Sequence, residues 1–237
     1  LEAGGEKYSE FSQDFYRGTV EGDKYFPLRV SRLRMFGGTS NHWSGWCREL
    51  DEIDFQKKKN SNLFEWPINK KDLDPFLEKA KDILDLKFIT EKKKLNKNLN
   101  QLTWDWSSTR FANKYRKFFL ERKHVDLYLN ANMQNFIFDE KVTGLNVKNS
   151  EGSNYLFVSK IYALATGGIE NSRLLLYSNI LAKHQFIKNK DSLGRYWMEH
   201  PHINVGGAFI DRQAFFRSSH NSHPTNQSYA FISPTGS

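Results

Sequence analysis

Apolar residues recur at helical spacing between Asp72 and Leu86, the most regular stretch of the chain. They are Leu73, Phe76, Leu77, Ala80, Ile83 and Leu84. Spacings of three and four residues place side chains on one face of a helix. We therefore predict a helix over about 72–86 whose apolar stripe belongs to the core, with Pro75 tolerated only in its first turn. The polar stretch 90–103, rich in Lys and Asn, is typical of an exposed loop.

Helical and extended patterns alternate in the second half of the chain. A basic helix is predicted over 112–123, and a strand over 125–129. Three more extended runs, at 132–138, 142–147 and 154–158, are typical of antiparallel strands joined in a β meander. Helices mixed with strands in this way predict an α/β fold class.

A continuously apolar segment, 161–165, follows the meander and runs into the pair Gly167-Gly168. Short unbroken apolar runs are typical of buried parallel strands. A helix is predicted from about 170 to 178. A buried strand followed by glycines and a helix is the arrangement that turns backbone N–H groups toward a phosphate.

Candidate chemistry is concentrated in the turn 34–43, which follows an irregular connection over 6–31. Gly37 and Gly38 permit positive φ, and they allow backbone N–H groups to approach an anionic or planar ligand closely. Hydroxyl, amide and imidazole groups follow, from Thr39, Ser40, Asn41 and His42. The hydroxyls and the amide either hydrogen-bond such a ligand or stabilise the turn itself.

Four elements, in this order, resemble the glucose-methanol-choline oxidoreductases, particularly their pyranose-oxidising members. Residues 1–5, Leu-Glu-Ala-Gly-Gly, look like the end of the second strand of a dinucleotide-binding unit. Turn 34–43 resembles the family's flavin-contacting turn. Residues 165–176, Ala-Thr-Gly-Gly-Ile-Glu-Asn-Ser-Arg-Leu-Leu-Leu, resemble its second motif. Residues 193–202 are close to its Gly-Arg-x-x-x-x-His-Pro element, so the resemblance covers nearly the whole chain.

This resemblance implies part of a Rossmann-like FAD-binding domain with a β meander, plus part of a mixed-sheet substrate domain. The implied boundaries are 1–56 for the FAD-binding domain, 57–105 for a substrate-domain or lid insertion, 106–200 for the continued FAD-binding domain and 201–237 for the start of the substrate sheet. The family's Gly-x-Gly-x-x-Gly turn and its catalytic histidine would lie before and after this sequence. We therefore expect an internal fragment that is inactive alone.

The resemblance also assigns residues that bind FAD. Glu2 would accept hydrogen bonds from the adenosine ribose hydroxyls, the alternative being an exposed glutamate at a strand end. Arg34 would neutralise the pyrophosphate or pair with a surface carboxylate. The other implied cofactor-binding residues are Ala3, Gly37, Gly38, Thr39, Ser40, Asn41, Met133, Ala165, Gly167 and Asn171. His42 occupies the place where relatives carry a histidine bonded to the flavin 8α-methyl group; it either forms that bond or packs against the ring.

The implied activity is oxidation of an alcohol or sugar hydroxyl, with hydride transfer to flavin N5. The electron acceptor stays undefined, and the catalytic base is expected outside this sequence. Two alternatives remain open. The chain is either a non-catalytic remnant that binds FAD or a partner, or a basic module that binds polyanions.

A net charge of +8 and a single cysteine limit these alternatives. The lysines gather at 57–59, 92–94 and 114–123, without the regularly interleaved aromatics of nucleic-acid-binding modules. We interpret them as solvated and predict no nucleic-acid partner. No window is apolar enough for a membrane span. Cys47, as the only cysteine, favours a reducing compartment such as the cytoplasm, although a signal peptide before Leu1 stays open.

His200 and His202 flank Pro201 in the fourth element. Two imidazoles at this spacing suit metal binding on a strand or acid–base chemistry near a flavin. No third ligand with suitable spacing accompanies them, so we predict no metal and favour a structural role.

Overall fold

The fold is taken from a computed structural model, which describes residues 1–56, 66–86, 92–188, 191–199, 206 and 229–234. The chain divides into two compact units. The first unit comprises Leu1–His42 and Phe111–Asn204, and the second comprises Trp43–Arg110 and Val205–Ser237.

Helices and antiparallel strands make up both units, so the mixed α/β character expected from the sequence is present. The helices are α1 (Glu10–Asp14), α2 (Lys70–Leu73), α3 (Leu77–Leu84), α4 (Phe111–Glu121) and α5 (Gly168–Leu181). Single 3-10 turns cover Gly38–Asn41, Glu52–Phe55 and Asp74–Phe76. The strands are β1 (Trp46–Cys47), β2 (Lys92–Lys94), β3 (Leu99–Trp106), β4 (Asn132–Asp139), β5 (Lys141–Lys148), β6 (Asn154–Phe157) and β7 (Tyr229–Pro234).

The predicted β meander is confirmed in the first unit, where β4, β5 and β6 pair in chain order. Strands β4 and β5 join through a tight hairpin in which Glu140 adopts φ 56°. One face of the meander is buried, since Phe136 on β4 and Val147 on β5 are 7% and 2% exposed. Burial of one face fixes the register, because a one-residue slip would turn these side chains to solvent.

Helix α5 packs against β4, and the helix predicted near 170–178 is therefore confirmed, with three more residues at its C-terminal end. Leu174 is buried at this contact. The Ser178 hydroxyl accepts a hydrogen bond from the Phe136 amide at 3.0 Å and donates one to the Leu174 carbonyl at 2.7 Å. Helix α4 likewise confirms the basic helix predicted over 112–123.

Two strands predicted in the first unit are wrong. Residues 125–129 and 161–165 are irregular. A parallel strand needs a hydrogen-bonding neighbour on at least one side, and every strand pairing in the described ranges is antiparallel and lies elsewhere. Ile161, predicted to be buried, is 83% exposed. Residues 1–5 also form no regular strand, although they hydrogen-bond on two sides.

Strand β3 is the centre of the sheet in the second unit, and it pairs with β1, β2 and β7. The exposed loop predicted over 90–103 is therefore wrong. The buried positions of β3 include the polar residues Asn100 and Asp105 as well as Leu102. Polar residues at buried positions hide the alternation on which a sequence prediction of a strand depends.

The helix predicted over 72–86 is present but divided. Helix α2 begins earlier, at Lys70, where Asn69 accepts a hydrogen bond from the Lys71 amide at 3.0 Å. Pro75 lies in the 3-10 turn that separates α2 from α3, because it has no N–H for a helical hydrogen bond. The assignment of the stripe to the core is wrong, since neither helix carries a buried residue.

Candidate functional site

A cavity of about 340 Å³ in the first unit brings together several of the predicted cofactor-binding residues. Ala3, Arg34, Met133 and Ala165 all line it, although they are far apart in the sequence. The polar part of its wall comes from Tyr16, Ser159, Thr166, Glu170 and Arg173. Cavities of this size are typical of small-molecule sites.

Residues 1–5 run beside this cavity and connect two of the sequence motifs. On one side, the Glu2 amide donates to the Tyr128 carbonyl at 2.8 Å, and the Gly4 carbonyl accepts from the Asn130 amide at 2.9 Å. On the other side, the Gly5 carbonyl accepts from the Phe36 amide at 2.9 Å. These backbone hydrogen bonds hold the predicted ribose-binding segment against the start of the glycine turn.

Glu2 is partly buried but is not among the residues that line the cavity. Its carboxylate accepts a hydrogen bond from the Gly4 amide at 2.7 Å. Burial raises the pKa of this carboxyl group, although the Gly4 amide and the charge of Arg34 act in the opposite direction. A carboxylate has about four lone-pair sites, so Glu2 retains acceptor capacity for a ligand hydroxyl.

Arg34 is held inside the first unit rather than displayed on its surface. Its Nη1 donates to the Ser12 hydroxyl at 3.0 Å and to the Ala3 carbonyl at 3.5 Å, and its Nη2 donates to Asn132 Oδ1. The guanidinium carbon lies 4.8 Å from the centre of the Phe15 ring. Burial lowers the pKa of Arg34. The alternative of a pair with a surface carboxylate is not observed in the described residues.

A cluster of ion pairs lies at the edge of the cavity, and the sequence analysis did not predict it. Glu170, in the first turn of α5, pairs with Arg32 at 3.1 Å and with Arg173 at 2.7 Å. Arg32 also lies over the Tyr16 ring, 4.0 Å from its centre. Burial raises the pKa of the Tyr16 hydroxyl, and the charges of Arg32 and Arg34 oppose this. Arg32 Nε is buried without a hydrogen-bond partner in the described part of the chain.

Gln13 is the second feature that sequence reasoning missed. It is 1% exposed, and its amide group binds three backbone positions of the segment before the glycine turn. Its Nε2 donates to the carbonyls of Arg29 and Arg32 at 2.5 Å each, and its Oε1 accepts from the Arg34 amide at 3.0 Å. The segment 6–31 carries no periodic pattern, so nothing in the sequence distinguishes Gln13 from a solvated glutamine.

The N-terminus of α5 contains the predicted residues Gly167 and Asn171. Gly167 precedes the helix with φ 90° and ψ 158°, and no atom lies within 4 Å of the position that a Cβ would occupy. The side chain of Asn171 is engaged locally, since its Oδ1 accepts from the Thr166 amide at 2.8 Å and hydroxyl at 2.7 Å. Gly167 therefore lies beside open space, whereas Asn171 stabilises the approach to the helix.

The glycine turn packs against the start of α4. Ser40 donates to the Gly37 carbonyl at 2.6 Å and accepts from the Phe111 amide at 3.2 Å, which satisfies the first N–H of the helix. Gly37 has φ 87°, and a Cβ there would lie 2.6 Å from the Ala112 Cβ. Close packing on α4 explains the glycine at this position. Gly38, with φ 53°, has no such neighbour and begins the 3-10 turn.

The remaining polar side chains of the turn differ in their surroundings. Asn41 Nδ2 donates to the Phe36 and Gly38 carbonyls at 2.9 Å each. Thr39 Oγ1 accepts from the Leu33 amide at 3.3 Å. Both side chains therefore stabilise the turn. The His42 side chain is exposed, and its amide closes the turn by donating to the Thr39 carbonyl at 3.1 Å.

Neither a metal-binding cluster nor a membrane-spanning helix is present in the described ranges. No group of three His, Cys, Asp or Glu side chains there could hold a metal ion. His200 and His202 lie outside the described residues. No helix in the same ranges combines the length and the apolar character needed to cross a membrane.

Comparisons of the chain with protein-family models, with curated proteins and with solved structures found no match.

Proposed function

We propose that this chain is part of an FAD-dependent oxidoreductase acting on an alcohol or sugar hydroxyl, and that its first unit binds the adenosine half of FAD. The observation that carries the proposal is the cavity that gathers Ala3, Arg34, Met133 and Ala165. These residues come from four separate segments of the chain, and the family resemblance implies that all four bind FAD. We further propose that this unit is part of a Rossmann-like FAD-binding domain.

The residues around the cavity fit an adenine nucleotide in shape and in charge. Apolar side chains, including Phe136 and Leu174, line one part of it and suit the faces of a base. Arg34 and Arg173 supply positive charge at the polar part, as a pyrophosphate requires. The open space beside Gly167 would admit a ligand close to the backbone at the N-terminus of α5, where the helix dipole favours a phosphate.

Two of the charged residues would have different tasks. Arg34 is fixed by its hydrogen bonds, so it would act on the pyrophosphate through its charge. Arg173 is less constrained than Arg34, because its side chain is 56% exposed and its only ion pair in the described residues is with Glu170. Arg32 would keep Glu170 neutralised when Arg173 turns to a phosphate, since the two arginines share that carboxylate.

Glu2 would bind the adenosine ribose through the carboxylate oxygens not used by the Gly4 amide. The flavin, when bound, supplies the hydride-accepting chemistry. His42, exposed at the end of the glycine turn, would bond to the flavin or lie against its ring. Bond formation requires the neutral form of the imidazole, whose ring nitrogen then has a free lone pair.

Ligand competition tests the adenosine assignment. FAD and AMP are each titrated against the protein by calorimetry, and FAD is titrated again in the presence of AMP or of FMN, which lacks adenosine and serves as the control. We expect AMP to compete with FAD and FMN not to compete. Glu2→Gln should weaken FAD and AMP binding by about 10-fold to 100-fold, because a hydrogen bond to a charged group contributes about 1.5–3 kcal/mol.

Glu6→Gln is the matched control, because Glu6 pairs with Arg116 at the surface of the same unit, with about half of each side chain exposed. It should leave both affinities unchanged. The adenosine assignment would be contradicted if FMN bound as tightly as FAD, or if Glu2→Gln and Glu6→Gln lost equal affinity for FAD and AMP. Substrate-dependent bleaching of bound flavin in the full-length protein separates an enzyme from a non-catalytic FAD-binding protein. Strongly salt-dependent oligonucleotide binding without FAD binding would favour the polyanion alternative.

The role of His42 needs its own test. The flavin-loaded protein is precipitated with acid, and the mass of the pellet is measured. A mass increase equal to FAD that is lost in His42→Ala and kept in His124→Ala would establish the covalent bond; His124 is another exposed histidine of the first unit. Complete release of the flavin leaves only the contact role. That role fails as well if His42→Ala leaves the flavin spectrum unaltered.

A further inference from the structure

A second cavity, of about 360 Å³, lies entirely within the second unit. One wall is the apolar stripe of α2, α3 and the 3-10 turn between them. The stripe residues that line the cavity are Leu73, Phe76, Leu77, Ala80 and Leu84. The opposite wall comes from the segment 47–55 and from Asp105 on β3. The apolar side chains that the sequence assigned to the core therefore line a cavity.

Most of the charged side chains in this wall are already paired with one another or with a neighbour. The pairs are Arg48 with Asp51 at 3.0 Å, Lys70 with Glu49 at 2.8 Å and with Asp74 at 2.9 Å, and Lys81 with Glu78 at 2.9 Å. Of the charged groups, Arg48, Lys70 and Lys81 line the cavity with Glu49, Asp74 and Asp105, so its wall holds three cations and three carboxylates. Each of the three cations therefore already has a carboxylate partner of its own.

Asp105 is the exception to this pairing. It is 7% exposed, and its Oδ1 is buried with no hydrogen-bond partner among the described residues. Burial raises the pKa of its carboxyl group, and the charge of Lys81 only partly opposes this. A buried carboxylate without a partner is costly, and a cation or hydrogen-bond donor beside it removes part of the cost.

Cys47 lies directly across from Asp105 in the pairing of β1 with β3, and it lines the same cavity. Burial raises the pKa of its thiol, and the negative charge of Asp105 raises it further. Because Cys47 is the only cysteine of the chain, its reactivity reports on this cavity alone.

We propose that the second unit binds a small organic cation in this cavity, with an ammonium group at the Asp105 carboxylate and an apolar body against the stripe of α3. An anionic ligand would find no unpaired cation, because the three cations of the wall are engaged by their own partners. A neutral apolar ligand would fill the volume but leave the charge of Asp105 uncompensated. The cavity is thus selective for an amine.

Three probes with the same chain length test the selectivity: hexylamine, 1-hexanol and hexanoate. We expect hexylamine to bind at least about tenfold more tightly than 1-hexanol, and hexanoate not to bind, as measured by calorimetry or ligand-observed NMR. Asp105→Asn should reduce the affinity for hexylamine to that for 1-hexanol. Asp126→Asn, which removes the same charge from an exposed position, should preserve the preference. Equal affinities for hexylamine and 1-hexanol, no binding of hexylamine, or a preference that survives Asp105→Asn would overturn the proposal.

Alkylation of Cys47 by iodoacetamide gives a second measurement that does not depend on the Asp105 variant. Hexylamine should slow the reaction in proportion to its occupancy of the cavity. Ala80→Phe, at an exposed position of α3 that lines the cavity, should fill the space and abolish both binding and protection. Protection that persists in Ala80→Phe, or absence of protection at saturating hexylamine, would equally refute the assignment.

Discussion

Gly4→Ala should destabilise the first unit through overlap with backbone atoms alone. A Cβ at this position would lie 2.1 Å from the Arg34 carbonyl oxygen, 2.5 Å from the carbonyl carbon and 2.6 Å from the Met35 Cα. All three are backbone atoms, so no change of rotamer can relieve the overlap. Overpacking of this kind costs about 1–3 kcal/mol, and we expect about 3 kcal/mol because the main chain itself must move.

Gly5→Ala is the matched control, one residue along the same segment. Neither glycine has positive φ, so the two substitutions differ in contacts rather than in backbone strain. A Cβ at Gly5 would meet the Asn130 side chain at 3.4 Å, which is an ordinary van der Waals distance. Alanine also restricts the unfolded chain, which favours the folded state by about 0.4–1 kcal/mol. The net change should therefore stay within about 1 kcal/mol.

Urea unfolding followed by far-UV circular dichroism measures both free energies. Amide hydrogen exchange localises the effect: Gly4→Ala should accelerate exchange at Phe36 and Asn130, whose N–H groups donate to the carbonyls of Gly5 and Gly4. Equal losses in the two variants, or a loss below about 1 kcal/mol for Gly4→Ala, would refute the close approach of residues 1–5 to the glycine turn.

Three further outcomes are expected. Gly37→Ala should lower the free energy of unfolding by about 2–5 kcal/mol, because Gly37 has positive φ and a Cβ there would overlap Ala112. Gly22→Ala should lower it by only about 1–2 kcal/mol, because Gly22 has φ 93° but lies in open space. Similar losses in urea unfolding would contradict the packing of the glycine turn on α4. Ser40→Ala should lower stability by about 1 kcal/mol and increase hydrogen exchange in the first turn of α4, because the hydroxyl caps that helix; unchanged exchange would exclude the cap. Asp105 has a folded pKa above its ordinary value of 3.8, so the folded state binds more protons than the unfolded state between these two values, and stability falls as pH rises through that window. Asp105→Asn should remove that decline, so its stability relative to the unsubstituted protein should grow as pH is raised; a difference independent of pH would contradict the assignment.

Local patterns in the sequence determined the meander, α4 and most of α5. In β4 and β5, apolar residues on both sides of a short hairpin favour two adjacent strands, so the pairing needs no distant partner. Helix α5 begins at the second glycine of a pair and contains the leucine run 174–176, which favours a helix. These elements are encoded within about 10–20 consecutive residues, which is why a single sequence suffices to predict them.

Tertiary structure decided the elements whose patterns mislead. Strand β3 buries the polar residues Asn100 and Asp105, so its alternation is visible only when its neighbours are known. Segment 161–165 is as apolar as a buried strand, yet no strand lies beside it in the described ranges. A strand is defined by its hydrogen-bonding neighbours, and these are not a local property of the sequence.

The candidate site also combines residues that the sequence predicts with contacts that only the tertiary structure shows. The resemblance in the sequence predicted Ala3, Arg34, Met133 and Ala165 as cofactor-binding residues, but only the fold shows that they line one cavity. The role of Ser40 could not be read locally, since its partner at the start of α4 lies 71 residues away. Close packing, buried charge and nonlocal hydrogen bonds depend on which segments meet in space, so tertiary structure determines them.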